Sequence, residues 1–472
     1  MPDAVGAVLS RLDASQAEAL DRLFALLRIP SVSADPYHKG DCRLAAKWCH
    51  EFLERIGFCA SLRETAGNPL VIGHWKHPDP SRAHVTFYGH YDVQPADPLE
   101  LWKSAPFEPQ LINDHNNGEV IVARGAADDK GQLMTFLEAC RSWHETAGSL
   151  PLSVTVILEG EEETGSSSLI SCLRGREAAL VSDLLLVCDT PQWTATRPAI
   201  ITSLRGLARM ELTVVGPDRD LHSGIYGGAA TNPIRELTRL LAKIYDEDGV
   251  ITIPGFYDGI IEPSCSQLDE WKVLEFDEKR FLGDVGLTQP AGERKRSVLE
   301  QIWSRPTAEI NGIYGGYTGH GSKTIVPSEV TAKISFRLVP GQNPASVLNS
   351  FREFVSANLG GDCKAAFRGL SGEPGVGIDT SMPAIGKAQE ALQAEWGVSP
   401  VKIGCGGSIP VVESFKTELD MDALLVGFGV EDDRVHAPNE KYNLLSFTKG
   451  ARSWARILHK LAECQYDRKG NQ

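Results

Sequence analysis

Short apolar runs recur along the first part of the chain, and stretches with apolar positions every three or four residues lie between them. His84–Tyr88, Leu152–Leu158 and Asp183–Cys188 have the length of buried strands, and Asp129–Trp143, between the first two, has helical spacing. A later run, Asp422–Phe428, predicts one more buried strand. Strands of this kind alternating with helices predict an α/β fold with a mainly parallel sheet covered by helices. Met1–Arg28 carries acids among apolar residues at helical spacing and predicts an opening helix.

The texture changes near Gly206. Ala208–Val215 alternates in the manner of a half-buried strand, and Asn232–Ile244 follows as an amphipathic helix. The same order returns as strand Glu329–Leu338 and helix Pro344–Leu359, so two strand-then-helix units predict a small α/β sandwich inserted into the main domain. Between them, Asp246–Pro306 is rich in Pro, Gly and charge and reads as irregular excursions, and after Gly372 helix Met382–Trp396 leads back to the main domain. The expected division is a catalytic domain of residues 1–205 and 373–472, interrupted by a lid of residues 206–372.

A length of 472 residues agrees with more than one domain, because single cores stop growing well below it. The formal charge of −15 is offset by no basic cluster, which argues against nucleic acid or an anionic membrane as partner. No apolar run approaches the ~20 residues needed to cross a bilayer. The start lacks the basic segment and long apolar stretch of a signal peptide, and the ten cysteines are scattered without CxxC pairs. A cytoplasmic protein with reduced thiols is expected.

Candidate chemistry gathers after the strands. His90 and Asp92 follow the first, Glu159 to Glu163 follow the second, Asp189 ends the third, and His436 lies in a loop after Asp422–Phe428. Ligands in open α/β sheets bind beyond the carboxyl ends of the strands, so these groups should converge on one edge. Each has an ordinary reading when taken alone. Asp128 could cap the following helix, Asp189 could close a turn, His436 could be a plain loop histidine, and the Glu run could be a solvated turn. Yet four carboxylates in the five positions of Glu159-Gly-Glu-Glu-Glu163 repel one another, and a multivalent cation offsets that repulsion. Spacing alone does not choose between Asp128 and Asp129 as a ligand.

The blocks Gly89-His-Tyr-Asp-Val-Gln-Pro95, Arg124-Gly-Ala-Ala-Asp-Asp-Lys-Gly131, Glu159-Gly-Glu-Glu-Glu-Thr-Gly-Ser166 and Leu221-His-Ser-Gly-Ile-Tyr-Gly-Gly228 resemble those of the M20 metallopeptidases, in particular the carnosinase-type (cytosolic non-specific) dipeptidases. The likeness continues through Lys323-Thr324, Ser335-Phe-Arg-Leu-Val-Pro340, Gly406-Gly-Ser-Ile-Pro410 and His436-Ala-Pro-Asn-Glu440.

The resemblance implies two divalent metal ions per subunit, Zn2+ or else Mn2+. It assigns the bridge between them to Asp128, one ion to His90 and Asp189, and the other to Glu163 and His436. By the same likeness Asp92 orients His90, and Glu162 is the general base that activates a metal-bridging water. His222 is the residue that this family's insert lends to the partner subunit's site, which implies a homodimer through the lid. Arg337 matches the cation for a substrate carboxylate, and Thr324, Gly406, Gly407 and Ser408 match further substrate contacts.

The implied reaction is hydrolysis of an amide bond in dipeptides. An N-acyl amino acid deacylase or a carboxypeptidase of the same fold is the alternative, and a non-catalytic metal-dependent binding protein is the rival of another class. One departure bears on the choice: Cys405 stands where the carnosinase-type enzymes usually carry Glu, a position tied to the substrate's amino group.

Overall fold

Four apolar runs lie side by side as parallel strands in the computed structural model, which describes residues 2–115 and 117–466. Ser153–Glu159 pairs with His84–His90, which pairs with Leu184–Val187, which in turn pairs with Ala423–Leu425. Antiparallel strands flank them: Leu70–Trp75 and then Cys59–Arg63 on one side, and Ala199–Leu204 on the other. All four residues of Leu184–Val187 are buried, as a strand covered on both faces requires. Expected and observed strands differ by a residue or two at their ends, and Asp422–Phe428 is regular only over Ala423–Leu425.

Helix Lys130–Ala147 is buried from Lys130 to Trp143 and packs against helices Leu444–Leu461 and Pro2–Ala14. It meets the sheet through Phe136, whose ring stacks on Phe87 at 3.8 Å while Trp454 sets its edge against both. The expected single opening helix is two, Pro2–Ala14 and Gln16–Leu27. The break falls at Ser15, whose hydroxyl donates to the Arg11 carbonyl oxygen and accepts from buried Arg141.

The chain divides into two units. One takes in the chain up to Thr202, Ile378–Ile403 and the chain from Val411 on; the other comprises Ser203–Gly377 and Gly404–Pro410. Met1 and residues 467–472, the two ends of the expected catalytic domain, lie outside the described residues. The second unit holds an antiparallel sheet in the order Thr307–Gly315, Glu329–Leu338, Gly206–Val215, Lys364–Glu373, with helices Pro233–Leu241 and Pro344–Asn358 against it. Burial alternates along Gly206–Val215, and the inward residues Ala208, Met210, Leu212 and Val214 pack with Phe336, Phe351 and Leu240. Asp246–Pro306, expected to be irregular, contains three short helices. Two of them open on reciprocal caps, Ser264 with Gln267 and Ser297 with Glu300.

Among the described residues no helix is long and apolar enough to cross a membrane. Because Phe136 is enclosed by rings on two sides, Phe136→Ala is expected to cost about 3–5 kcal/mol. A urea titration followed by tryptophan fluorescence measures this, and an unmoved midpoint would show that the ring stack carries no load.

Candidate metal centre

The sheet supplies the site by ending. His90 is the last residue of its strand, Glu159 ends the neighbouring strand and leads into the turn Glu162–Thr164, and Asp189 lies just past Leu184–Val187. Asp128 stands in the turn that precedes helix Lys130–Ala147, joined to Asp129 by a cis peptide bond. Gly125 gives that turn a φ of +83°, and a Cβ at Gly131 would strike the Ala126 carbonyl, so both glycines are needed for its path.

Two groups of candidate ligands meet at Asp128. His90, Asp128 and Asp189 each offer an atom within 4.8 Å of the others, and so do Asp128, Glu163 and His436. His90 Nε2 lies 3.1 Å from Asp128 Oδ1 and 3.7 Å from Asp189 Oδ2. On the other side His436 Nε2 lies 2.9 Å from Asp128 Oδ2 and 3.4 Å from Glu163 Oε2. His90 Nδ1 has the Asp92 carbonyl oxygen at 3.1 Å and Asp92 Oδ1 at 3.4 Å, an arrangement that favours the tautomer with a lone pair on Nε2.

Asp92 also organises the Glu turn. Its oxygens accept from the backbone N–H groups of Glu162 and Glu163 and from the Ser33 hydroxyl at 2.6 Å. Three further residues support the same centre: Ser33 and Gln94, neither singled out by sequence reasoning, the latter donating to Glu163 Oε2 at 2.6 Å, and Asp129, left open there as the alternative to Asp128, which accepts the His90 backbone N–H. Of these only Asp129 carried a sequence signal, as the second member of the acidic pair.

Crowded acids perturb one another's protonation. Burial first, then Asp189, Glu163 and Asp128, push the Glu162 carboxyl up to about 8 against the opposing pull of His90. Burial and Asp128 likewise raise Asp189. Burial would raise Asp128 as well, but its contacts with His436 and His90 outweigh it and hold this carboxyl below its usual range. His436 is raised to about 10 by its bonds to Asp128 and Glu163.

The residues fit a pair of divalent cations. His90 Nε2 and Glu163 Oε1 are buried with no hydrogen-bond partner among the described residues, although both sit among potential ligands. Imidazole nitrogens combined with carboxylate oxygens form a donor set that suits zinc or manganese.

The other candidates lie in the second unit. Exposed His222 accepts the Gly224 N–H at Nδ1, and its short strand pairs with Ile325–Val326, next to Thr324. Arg337 stands opposite Leu207 on the antiparallel sheet. The loop of Gly406, Gly407 and Ser408 is held by Arg205, which sequence reasoning did not single out. Its backbone N–H reaches the carbonyls of Cys405 and Gly407, and its Nε donates to that of Gly406 at 3.0 Å.

Two groups of candidate cation ligands on the carboxyl edge of an α/β sheet fit a metallohydrolase, and comparison gives the family. Residues 86–460 match the profile of peptidase family M20/M25/M40. Cys-Gly metallodipeptidase dug1 of Schizosaccharomyces pombe is 30% identical over 96% of this chain and 97% of its own length. The Beta-Ala-His dipeptidase of Homo sapiens is 28% identical over 82% of this chain and 76% of its own. Among solved structures, the M20 family metallo-carboxypeptidase Sso-CP2 from Sulfolobus solfataricus superposes with a TM-score of 0.81 at 29% identity, covering 94% of this chain and 99% of that one. The chain belongs to peptidase family M20/M25/M40.

Because both ligand groups share Asp128, Asp128→Asn is expected to lose metal at both positions, whereas Asp189→Asn and His436→Ala should each spare one ion. Metal content after desalting decides; two ions retained by Asp128→Asn would dismiss the shared ligand.

Proposed function

We propose that this chain is a cytoplasmic, homodimeric dipeptidase that hydrolyses a peptide bond with two zinc ions, manganese serving as a substitute. The observation that carries this reading is the pair of ligand groups joined at Asp128 with Glu162 beside them. The cations, when bound, supply Lewis acidity that polarises a carbonyl and brings water deprotonation near neutral pH. Glu162 takes a proton from water and returns it to the leaving amine. Its position supports this role, since the turn that presents it is fastened to Asp92, and Asp92 also sets the ring of His90. One carboxylate thus aligns a base with a ligand.

From the insert of residues 206–372, Arg337 offers its planar fork to the substrate's carboxylate and Thr324 contacts the substrate, as does the loop of Gly406, Gly407 and Ser408 outside that span. His222 is a donor for the oxyanion, lent to the partner's site across a dimer formed by the insert. The names of the relatives support small dipeptides, with Cys-Gly and Beta-Ala-His as first candidates. No disulfide joins the cysteines among the described residues, which supports a reducing compartment.

A second reading, carboxypeptidase or N-acyl amino acid deacylase, is favoured by one departure. Cys405 stands where the carnosinase-type enzymes, by the family resemblance, carry a carboxylate that would meet a substrate ammonium. Turnover of Cys-Gly and β-Ala-His against N-acetylated amino acids and longer peptides separates the two. The dipeptides should be cut, the activity should vanish on chelation, and Zn2+ or Mn2+ should restore it. Cleavage confined to acylated or longer substrates would reject the dipeptidase.

Glu162→Gln is expected to keep both ions and to lower kcat by about 10²–10⁴-fold, the usual contribution of a general base. Undiminished turnover in the metal-loaded variant would remove Glu162 from that role. Arg337→Ala should instead raise KM for substrates with a free carboxylate and leave hydrolysis of their amidated counterparts little changed; equal effects on both would dismiss the carboxylate contact.

A further inference from the structure

Glu440 closes the block His436-Ala-Pro-Asn-Glu440, and neither the fold nor the reaction has so far used it. Its side chain is fully buried, and each oxygen accepts two hydrogen bonds. Oε2 takes Arg124 Nη1 at 2.7 Å and the Gly125 N–H at 3.0 Å. Oε1 takes the N–H groups of Ala127 at 2.9 Å and Asp128 at 3.1 Å. One carboxylate therefore binds the whole turn that presents Asp128.

The same carboxylate stands four positions after His436. The intervening backbone has little freedom: Asn439 is pinned through its side chain to the Lys103 N–H and the Leu101 carbonyl, and the Glu440 carbonyl accepts the Ala123 N–H. Arg124 extends the tie to a third segment. Its guanidinium lies over the Trp102 ring at 5.4 Å and donates to the carbonyl of Pro95, which follows Gln94 and the His90–Asp92 stretch.

We propose that the buried Arg124–Glu440 pair is the positioning device that sets Asp128 against His436, and hence the geometry of the two cation sites. The inference rests on the reading of Asp128 and His436 as ligands. Buried ion pairs contribute little net stability compared with apolar replacements, so a pair kept at this place is better explained by the geometry it imposes. Partners that fix ligands commonly change metal affinity by about 10–100-fold when removed.

An isosteric amide tests this sharply. In Glu440→Gln one oxygen remains an acceptor while the NH2 group must face either Arg124 and Gly125 or Ala127 and Asp128, donor against donor. The turn must then shift without loss of side-chain volume. Apo-protein of Glu440→Gln and of Arg124→Lys, with Asp128→Asn alongside, is titrated calorimetrically with Zn2+, and the Co2+-loaded forms are examined by visible absorption.

Glu440→Gln is expected to bind two ions about 10–100-fold more weakly, with a shifted Co2+ band, and Arg124→Lys to fall between it and the wild type. Wild-type affinity and Co2+ spectrum in both folded variants would overturn the proposal. If Glu440→Gln does not fold, Arg124→Lys decides alone by the same criterion. Two ions held at full strength by Asp128→Asn would instead overturn the underlying ligand reading.

Discussion

Asp128, Asp189, Glu162 and Glu163 stand around two imidazoles, close enough that the first, second and fourth all disfavour ionisation of the third. Burial removes most of the water that would screen them, so the cluster is compensated by protons or by cations. The first unit is arranged around that requirement. Parallel strands bring His90, the Glu162 turn and Asp189 to one edge, because parallel strands end on the same side. Helix Lys130–Ala147 then delivers Asp128 from the turn before it, and its buried length anchors that turn to the core.

Most of this arrangement was legible because it is written in buried apolar runs. Leu184–Val187 and Ser153–Glu159 are covered on both faces, so their sequences are hydrophobic stretches, interrupted only by buried Thr155 in the second, with ends set by polar residues. His90 at the end of its strand and Asp189 just past Leu184–Val187 are polar residues of that kind, whereas Asp128, Glu163 and His436 lie in the turns and loops beyond. What escaped notice lacks that contrast. Strands Thr307–Gly315 and Lys364–Glu373 are the edges of the second unit's sheet and bury few of their side chains, so no alternation marks them. The helices within Asp246–Pro306 are short, and only their caps could have announced them.

The supporting residues around the metal centre were invisible for a different reason. Ser33 and Gln94 act through single hydrogen bonds to Asp92 and Glu163, and a lone Ser or Gln in a loop carries no periodic or compositional signal. Arg205 is similar: its value lies in the carbonyls of Cys405, Gly406 and Gly407, which meet it only after the chain has folded. Ligand types can be read from a sequence because the chemistry restricts them, whereas the partners that orient ligands are chosen by proximity.

Asp128 and Asp129 show where that boundary falls. As adjacent acids before one helix they are interchangeable by composition and nearly so by position. In the folded chain Asp129 turns inward, fully buried, and accepts the backbone N–H of His90, while Asp128 points its two oxygens at the two imidazoles. The first arrangement fixes a strand end and the second leaves lone pairs where cations can reach them. Neither carboxylate could exchange roles with its neighbour without turning that strand end loose, since a carboxylate directed at both imidazoles cannot also satisfy a backbone N–H behind them. The division of labour between the two acids is therefore a property of the turn, and the turn is made by Gly125, Gly131 and the hydrogen bonds that hold its backbone.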